Sequence, residues 1–368
     1  MSTNTSVDVP ASSETMIAYQ IVPGLTEPQR KALPIPTPGP DEVLVKVLAS
    51  GVCHSDVHLL EWSDGRPFTP FTHTLGHECA GTIVRLGSNV ASDRTLSARL
   101  AVGTYAAVLA TNACEKPDCD RCSRGLANVC FALPLYGLGG DGSWTQYIVA
   151  RACTVVPVPG NNPKSARLFP AVVAAATDAV LTPWHALKRT AGVQPGQTVL
   201  IFGCGGLGMN AIQIAKNVLG AGVVIAVDVR EESLSIVRKL GADYAVHPDG
   251  VKALLEEKGL KVDVAMDLVG KQSTLDGAVA AVRTGGTVVL IGLYGDALSV
   301  TPLAMTTKQL KLLGSFGGDY QDLEESLRAI AEGKVTPGVE ERPMDQCREV
   351  LEDLAAGRIR TRVALVPN

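Results

Sequence analysis

Two short segments of the chain combine cysteine, histidine and acidic residues in a pattern that suits a metal site. Residues 51–58 read Gly-Val-Cys-His-Ser-Asp-Val-His, and residues 75–81 read Leu-Gly-His-Glu-Cys-Ala-Gly. Cysteine thiolate and neutral imidazole are good zinc ligands, and a catalytic zinc takes three protein ligands and keeps one position open. Taken singly, Cys53 also fits a buried apolar role and His77 a hydrogen-bonded core histidine, so the rest of the chain must decide between these interpretations.

A second group of possible metal ligands consists of four cysteines that lie close together in the sequence. They are Cys114, Cys119, Cys122 and Cys130. In a chain expected to be cytoplasmic, such a cluster indicates a metal site more than disulfides.

A glycine-rich turn follows an apolar run at residues 199–202. It reads Gly203, Cys204, Gly205, Gly206, Leu207, Gly208. In this G-x-G-x-x-G pattern the first glycine makes the turn, the second admits a pyrophosphate and the third allows close helix packing. An ordinary tight turn could use the same glycines. However, the next predicted strand ends on Asp228, about 20 residues after the last glycine of the turn. An acid at this position binds the ribose hydroxyls of NAD, and its charge repels the 2′-phosphate of NADP. Arg230 could tolerate some NADP.

The elements predicted around these motifs are of two kinds. Up to about residue 150 the chain shows short strand patterns, for example at residues 81–87 and 143–150, and from about residue 171 strands and helices alternate. Repeated βα units with apolar strands indicate a parallel sheet covered on both faces. At 368 residues the chain is also too long for one core. We predict an α/β protein in which a doubly wound domain is inserted into a β-rich domain.

Composition excludes several classes of function. The net charge of −4 provides no basic surplus for binding nucleic acid, and an aromatic content of 4% argues against base-stacking surfaces. No apolar run reaches the roughly 18–20 residues that a membrane helix needs. The polar N-terminus lacks the features of a secretory signal. These observations predict a cytoplasmic protein that binds neither nucleic acid nor membrane.

Five segments together resemble a known family. They are GVCHSDVH, LGHECAG, TDAVLTPWHAL, VLIFGCGGLG and VVIAVD. In this order they are similar to the signatures of the zinc-dependent medium-chain dehydrogenase/reductase family, the alcohol dehydrogenases, and the resemblance covers nearly the whole chain. It is greatest to bacterial NAD-dependent secondary-alcohol dehydrogenases with an aspartate zinc ligand. The resemblance implies a GroES-like catalytic domain and a Rossmann domain. The predicted parts are a flexible extension (1–15), the catalytic domain (16–172) with a zinc lobe (about 112–131), the Rossmann domain (173–316) and a return to the catalytic domain (317–368).

The resemblance places the ligands of a catalytic zinc on Cys53, His77 and Asp178. Many members of the family carry cysteine at the third position. Aspartate keeps the charge of the site and replaces a sulfur ligand by a harder oxygen. Glu78 would lie behind the metal, either as a transient ligand or as a charge that only orients other groups.

The lobe of the family carries a structural zinc on the pattern C-x2-C-x2-C-x7-C. Cys119, Cys122 and Cys130 keep the last two spacings, but Lys116 stands where the first cysteine would be, and Cys114 gives C-x4-C. We predict that Cys114 completes a four-cysteine site, which makes two zinc ions per chain. The alternatives are three cysteines that hold zinc weakly and a loop without metal.

Further roles also follow from the resemblance alone. Ser55 and His58 match a proton relay that runs through the cofactor ribose, Thr182 should face the nicotinamide, and Arg362 matches an arginine that binds the pyrophosphate. The loops expected to line the cofactor cleft contain Val269, Gly270, Ile291, Gly292 and Leu293. The candidates for the substrate pocket are Ser55, Trp62, Phe71 and Phe316, and the aromatic residues among them also fit an ordinary core role.

The predicted function is transfer of a hydride between NAD(H) and a hydrophobic alcohol, ketone or aldehyde, with secondary alcohols suggested by the resemblance. A second interpretation keeps the fold but assigns a specialised substrate, such as a polyol, an amino-alcohol or an acyl-CoA-linked alcohol. A third is a catalytically idle protein that binds NAD and zinc. The family further implies a homodimer or homotetramer, in which residues 294–301 could form the pairing edge strand.

Overall fold

The computed structural model describes residues 14–61, 71–293, 295 and 297–368. Within these ranges the strands are β1 (Thr15–Ile21), β2 (Gln29–Pro34), β3 (Glu42–Val52), β4 (His73–Thr74), β5 (Glu78–Leu86), β6 (Tyr105–Val108), β7 (Tyr147–Arg151), β8 (Val155–Pro157), β9 (Thr198–Phe202), β10 (Val223–Val227), β11 (Tyr244–Val246), β12 (Val262–Asp267), β13 (Val282–Leu290), β14 (Lys311–Gly314), β15 (Val339–Pro343) and β16 (Arg362–Val366).

The α-helices of the same ranges are α1 (His54–Glu61), α2 (Ser88–Ser92), α3 (Arg94–Arg99), α4 (Pro170–Ala175), α5 (Leu181–His185), α6 (Gly206–Gln213), α7 (Glu231–Lys239), α8 (Val251–Lys258), α9 (Gln272–Ala281), α10 (Pro302–Lys308), α11 (Tyr320–Ala331) and α12 (Cys347–Ala355). No helix in this part of the chain is long and apolar enough to cross a membrane.

The chain forms two compact units. Of the described residues, the first contains those up to 178 together with 319–331 and 338–368, and the second contains those in 179–318 and 332–337. The short segment 332–337 was expected in the first unit. It belongs to the second because the Gln213 side chain accepts the Thr336 N–H at 2.8 Å and donates to the Thr336 carbonyl at 3.2 Å.

The first unit is built on a seven-stranded sheet. Six strands follow the order β15-β16-β3-β5-β6-β8, and β7 pairs with β3. Side chains alternate between the two faces of a strand. On β3, Val43, Val45 and Val47 pack on one face with Ile83, while Leu44 belongs to a separate core cluster. The central strand β3 is therefore buried on both faces, which fixes its register against its neighbours.

The second unit contains a six-stranded sheet in the order β11-β10-β9-β12-β13-β14, and all of its pairs are parallel. This is the doubly wound order of a dinucleotide-binding fold, and the predicted fold class is confirmed. Strand β14 lies at one edge. Within this single chain the described residues among 294–301 form no strand, and their pairing between subunits stays a prediction.

Candidate active site

The ends of three neighbouring strands form the base of the first candidate site. In the first unit, Gly51 of β3 lies opposite Glu78 of β5, and Val52 lies opposite Val363 of β16. A Cβ atom on Gly51 would overlap the Glu78 carboxylate, so only glycine leaves room for this acid. Cys53 follows β3 directly. The sheet register therefore brings residues that are far apart in sequence to one point.

At this point the ligand atoms of Cys53, His77, Glu78 and Asp178 all lie within 4.8 Å of one another. The first three residues are buried, and Asp178 is partly exposed. Asp178 lies in a π-helical turn at Ala176–Val180, an irregularity that is frequent at functional sites. Neither carboxylate oxygen of Glu78 has a hydrogen-bond partner among the residues that the structure describes. A buried group of sulfur, nitrogen and oxygen donors with unsatisfied atoms fits a zinc ion.

Arg362 neutralises the acidic side of this cluster. Its Nη2 donates to Asp178 Oδ2 at 2.9 Å, and its Nη1 donates to the Val52 carbonyl at 3.2 Å and lies 3.3 Å from Glu78 Oε1. Burial raises the pKa of Glu78 well above its usual value, and the Arg362 charge opposes that rise. The sequence suggested a contact of Arg362 with a pyrophosphate, which remains a prediction. The structure places its guanidinium against two carboxylates of the cluster.

Asp56 is a residue of this site that the sequence interpretation missed. It is fully buried, its Oδ2 accepts the Cys53 N–H at 2.8 Å, and its Oδ1 lies 3.3 Å from His77 Nδ1. Burial alone would lower the pKa of His77, but the Asp56 carboxylate raises it well above its usual value. Such a carboxylate fixes the orientation of a ligating imidazole and makes it more basic. A carboxylate three residues after Cys53, at the start of a helix, was the available signal.

The predicted relay residues both lie on helix α1. Ser55 Oγ is 3.7 Å from Cys53 Sγ, and His58 is partly exposed with its Nδ1 3.3 Å from Glu61. Residues three positions apart share a helix face. Ser55 and His58 therefore offer one group beside the cluster and one toward the surface.

The four cysteines of the lobe come together as a second cluster. The ligand atoms of Cys114, Cys119, Cys122 and Cys130 all lie within 4.8 Å of one another. Cys114 Sγ is 3.8 Å from Cys122 Sγ and 3.6 Å from Cys130 Sγ, and Cys119 Sγ is 4.0 Å from Cys130 Sγ. A tetrahedral zinc with Zn–S bonds of about 2.3 Å separates its sulfurs by about 3.8 Å. Cys114, despite its unusual spacing, completes a set of thiols that fits zinc.

The electrostatics of the lobe favour a thiolate at Cys130. Burial opposes ionisation of this thiol, but the backbone N–H groups of Cys114 and Ala132 lower its pKa to about 6. Zinc binds the thiolate form of cysteine, so this backbone arrangement prepares Cys130 to act as a ligand.

The glycine-rich turn joins β9 to helix α6 in the second unit. Gly203 has φ of +93°, which favours glycine, and a Cβ on Gly208 would overlap the Gly203 carbonyl oxygen. A Cβ on Gly205 would meet nothing within 4 Å. The first and third glycines are thus required by the turn itself. The second, at the N-cap of α6, leaves space beside a helix N-terminus that can bind a pyrophosphate.

Asp228 lies directly after β10, close to the same turn. Its Oδ2 accepts the Cys204 N–H at 2.8 Å, and its Oδ1 accepts the Arg230 N–H at 2.9 Å and Arg230 Nε–H at 3.2 Å. Burial would raise the pKa of Asp228, but the hydrogen bonds from Arg230 and Cys204 lower it below its usual value. The residue is therefore a carboxylate held in one orientation, as expected for a group that accepts ribose hydroxyls.

Comparisons with known proteins agree with this geometry. A family model described as alcohol dehydrogenase GroES-like domain matches residues 39–160, and one described as zinc-binding dehydrogenase matches residues 206–332. An alcohol dehydrogenase of Geobacillus stearothermophilus is 34% identical over 332 residues, which cover 88% of this chain and 91% of the relative. The chain belongs to the zinc-dependent alcohol dehydrogenase family.

Two solved structures resemble this dehydrogenase along nearly its whole length. The acetophenone reductase from Geotrichum candidum, in complex with NAD, is 34% identical with a TM-score of 0.83, covering 97% of this chain and 98% of the other. A cobalt- and zinc-bound thermostable alcohol dehydrogenase from Pyrobaculum aerophilum is 25% identical with a TM-score of 0.81, covering 96% and 100%. The protein is an oxidoreductase of the alcohol dehydrogenase and carbonyl reductase type.

The loops predicted to line the cofactor cleft of this dehydrogenase follow β12 and β13, strands that lie on one side of β9 in the parallel sheet. Val269 and Gly270 donate their N–H groups to Asp267 Oδ1 at 2.9 and 3.0 Å. Ile291 donates its N–H to the Asp267 carbonyl at 2.9 Å. Asp267, which the sequence interpretation did not single out, is fully buried and anchors both loops. Of the other predicted cofactor contacts, Leu293 is exposed and Thr182 is buried on α5.

The structure gives less information about the residues predicted for the substrate pocket than about the two cysteine-containing clusters. Trp62 lies outside the described residues. Phe71 is 68% exposed, and its carbonyl accepts a hydrogen bond from His73 Nδ1 at 2.9 Å. Phe316 is half-buried in the second unit. Their role in substrate binding stays a prediction.

Proposed function

We propose that this dehydrogenase transfers a hydride between NAD(H) and a hydrophobic alcohol or its carbonyl product, with secondary alcohols and ketones as its preferred substrates. The observation that carries the proposal is the convergence of Cys53 and His77, both buried, with the partly exposed Asp178 in a chain that also carries the glycine-rich turn and Asp228. The likeness to an acetophenone reductase in complex with NAD supports both the cofactor and the ketone.

Cys53, His77 and Asp178 would hold the catalytic zinc, with Glu78 beside them. When bound, zinc supplies Lewis-acid polarisation of the alcohol or carbonyl oxygen. With zinc bound, the thiolate of Cys53 and the carboxylate of Asp178 would balance the divalent charge, and His77 would bind as a neutral imidazole. Arg362 then offsets the extra negative charge of Glu78, and its bond to Asp178 orients that carboxylate.

The proton of the substrate hydroxyl would pass to Ser55 and on to His58. The Ser55 hydroxyl can both accept and donate a proton, and it lies beside the Cys53 ligand. His58 is suited to the last step because histidine is a common proton shuttle in proteins and this imidazole is partly exposed.

The second unit would bind NAD(H). Bound NAD⁺ supplies the hydride acceptor. The turn at Gly205 and the N-terminus of α6 would bind the pyrophosphate, and Asp228 would accept the ribose hydroxyls and disfavour a 2′-phosphate. Thr182, Val269, Ile291 and Leu293 remain the proposed contacts of the nicotinamide half.

The lobe would hold a structural zinc on its four cysteines. Four protein ligands would complete the coordination of this ion, so the lobe would offer no position to a substrate. The family also supports a homodimer or homotetramer, which light scattering on the purified protein would measure.

The first experiment compares two isomeric alcohols, 1-phenylethanol and 2-phenylethanol, as the secondary and the primary substrate. Initial rates of reduced cofactor formation are recorded with NAD⁺ and with NADP⁺. We expect higher kcat/KM for the secondary alcohol and for NAD⁺. Asp178→Asn should abolish turnover, whereas Asp243→Asn, which changes a carboxylate directly before β11 in the second unit, should not. Absence of turnover with either alcohol would contradict the proposed substrate class, and preference for NADP⁺ would contradict the role of Asp228.

A further inference from the structure

The first ligand of the lobe lies in an unusual backbone setting. Cys114 stands two residues before the position that the family pattern assigns, and the next residue, Glu115, has φ of +54°. Among the described residues that are not glycine, only Glu115, Asn161 and Gln309 have positive φ. This left-handed conformation is unfavourable for a residue with a side chain. It persists only where surrounding contacts hold it.

A residue outside the lobe supplies these contacts. Arg151, at the end of β7, donates from Nη1 to the Ala113 carbonyl and lies 3.7 Å through Nη2 from Glu115 Oε2. Its own backbone N–H donates to the Tyr136 hydroxyl at 2.9 Å. The Arg151 side chain is only 23% exposed. One guanidinium thus holds the residues on both sides of Cys114.

The bond to Ala113 also determines the direction of the next N–H group. The Ala113 carbonyl and the Cys114 N–H belong to one planar trans peptide unit, so they point in opposite directions. While Arg151 holds the carbonyl, the N–H at the other end donates to Cys130 Sγ at 3.4 Å. The contact of Arg151 with the Ala113 carbonyl therefore orients the N–H of the Ala113–Cys114 peptide toward the sulfur cluster.

We propose that Arg151 is a positioning residue for the metal of the lobe. It holds Cys114 so that its sulfur can be the fourth thiolate ligand, although Cys114 stands two residues earlier than the family pattern has its cysteine. It also orients the Cys114 N–H that bonds to the Cys130 sulfur. Its positive charge also partly offsets the net negative charge of four thiolates around one divalent zinc. The inference depends on the structural zinc proposed above, and it extends that proposal to a residue that is not a ligand.

The test follows the release of zinc to a chromogenic chelator from the purified full-length protein, together with total zinc per chain by atomic emission. Each zinc site should give its own phase in the time course of release. Cys114→Ser lacks one ligand of the lobe, so the phase that changes in this variant is that of the lobe. Asp178→Asn identifies that of the catalytic site. Arg238→Ala is the matched control, because Arg238 also binds one carboxylate, Glu231 at 2.7 Å, and one backbone carbonyl, that of Ala245 at 3.0 Å.

Removing a residue that orients a ligand usually weakens metal affinity by about 10- to 100-fold, so we expect Arg151→Ala to release the lobe zinc faster by up to this factor. The catalytic phase should be unchanged. Arg151→Lys should give an intermediate rate, because it keeps the charge but not the two-pronged contact. Arg238→Ala should match the unaltered protein. Glu115→Gln, which keeps the size of the side chain, should also accelerate the lobe phase and serves if Arg151→Ala fails to fold.

Three results would overturn the inference, and they can be told apart. An unchanged lobe phase in Arg151→Ala and Glu115→Gln, with two zinc ions per chain, would remove the role of Arg151 and leave the structural zinc intact. A single zinc ion per chain in the unaltered protein, with no lobe phase, would remove both. Equal acceleration of both phases would show general destabilisation instead of positioning.

Discussion

The Asp56 carboxylate lies 3.3 Å from Nδ1 of His77, and both side chains are buried. The other oxygen of Asp56 accepts the N–H of Cys53 at 2.8 Å. One acid therefore contacts two proposed zinc ligands without being a ligand itself. The Asp56 side chain therefore positions both the imidazole of His77 and the backbone of Cys53, which directly precedes helix α1.

Asp56→Asn should weaken binding of the catalytic zinc by about 10- to 100-fold, since it removes the charge that orients His77 while keeping the size of the side chain. Competition with a chelator measures this affinity. Asp93→Asn is the control, because Asp93 also accepts backbone N–H groups at a helix start, those of Thr95 and Leu96. Equal zinc affinity in Asp56→Asn and the unaltered protein would contradict the assigned role.

Asp228→Ala should raise the KM for NAD⁺ by at least about tenfold, because hydrogen bonds to a charged group contribute about 1.5–3 kcal/mol. The kcat at saturating NAD⁺ should change less, since Asp228 is proposed to contact only the ribose. Asp243→Ala provides the comparison: it removes a carboxylate that accepts the Val224 N–H at 2.8 Å on the same sheet. That change should reduce stability but leave the KM for NAD⁺ near its original value. A rise in KM of the same size in both variants would argue against specific recognition.

The two glycines of the turn should respond differently to alanine. Gly208→Ala should destabilise the protein by about 1–3 kcal/mol because the added methyl overlaps the Gly203 carbonyl. Gly205→Ala meets no atom within 4 Å, so it should fold normally but bind NAD⁺ more weakly, since the methyl would occupy space proposed for the pyrophosphate. Urea unfolding and cofactor titration separate the two effects. Unchanged cofactor affinity in Gly205→Ala would place the pyrophosphate elsewhere.

Stability should fall in mild acid because of His73. This histidine is 2% exposed, and its burial lowers its pKa, although the Phe71 carbonyl and the charges of Asp141 and Asp56 oppose that shift. Above about pH 6.5, the usual histidine pKa, it is neutral in both the folded and the unfolded chain. Below that pH the unfolded chain takes up the proton first, so the free energy of unfolding decreases as the pH falls toward the lowered pKa.

His73→Asn should therefore lose less stability than the unaltered protein between about pH 7 and pH 5. Asparagine can still donate to the Phe71 carbonyl but does not titrate. Urea unfolding at several pH values gives the two slopes, and acid-induced loss of zinc affects both proteins alike. Parallel slopes would show that His73 does not contribute.

The amino-acid sequence by itself determined the parts of this protein that depend on neighbouring residues. The turn from Gly203 to Gly208 needs small residues at fixed offsets, so its pattern is local. Asp228 could be expected beside this turn because the next parallel strand ends at the same edge of the sheet. The apolar strands that alternate with helices likewise indicated the doubly wound fold, because a buried parallel strand requires a continuous apolar run.

The tertiary structure decided what depends on contacts between distant segments. Arg362 reaches Asp178 and Glu78 because β16 pairs with β3, and no local pattern contains that register. The anchoring role of Asp267 likewise depends on loops after two different strands. The fold also decided whether Cys114, at its displaced position, joins the other three cysteines, because it brings the Cys114 sulfur to 3.6 Å from that of Cys130. A side chain held by hydrogen bonds across the fold has a role that sequence spacing does not encode, because the sheet sets these distances.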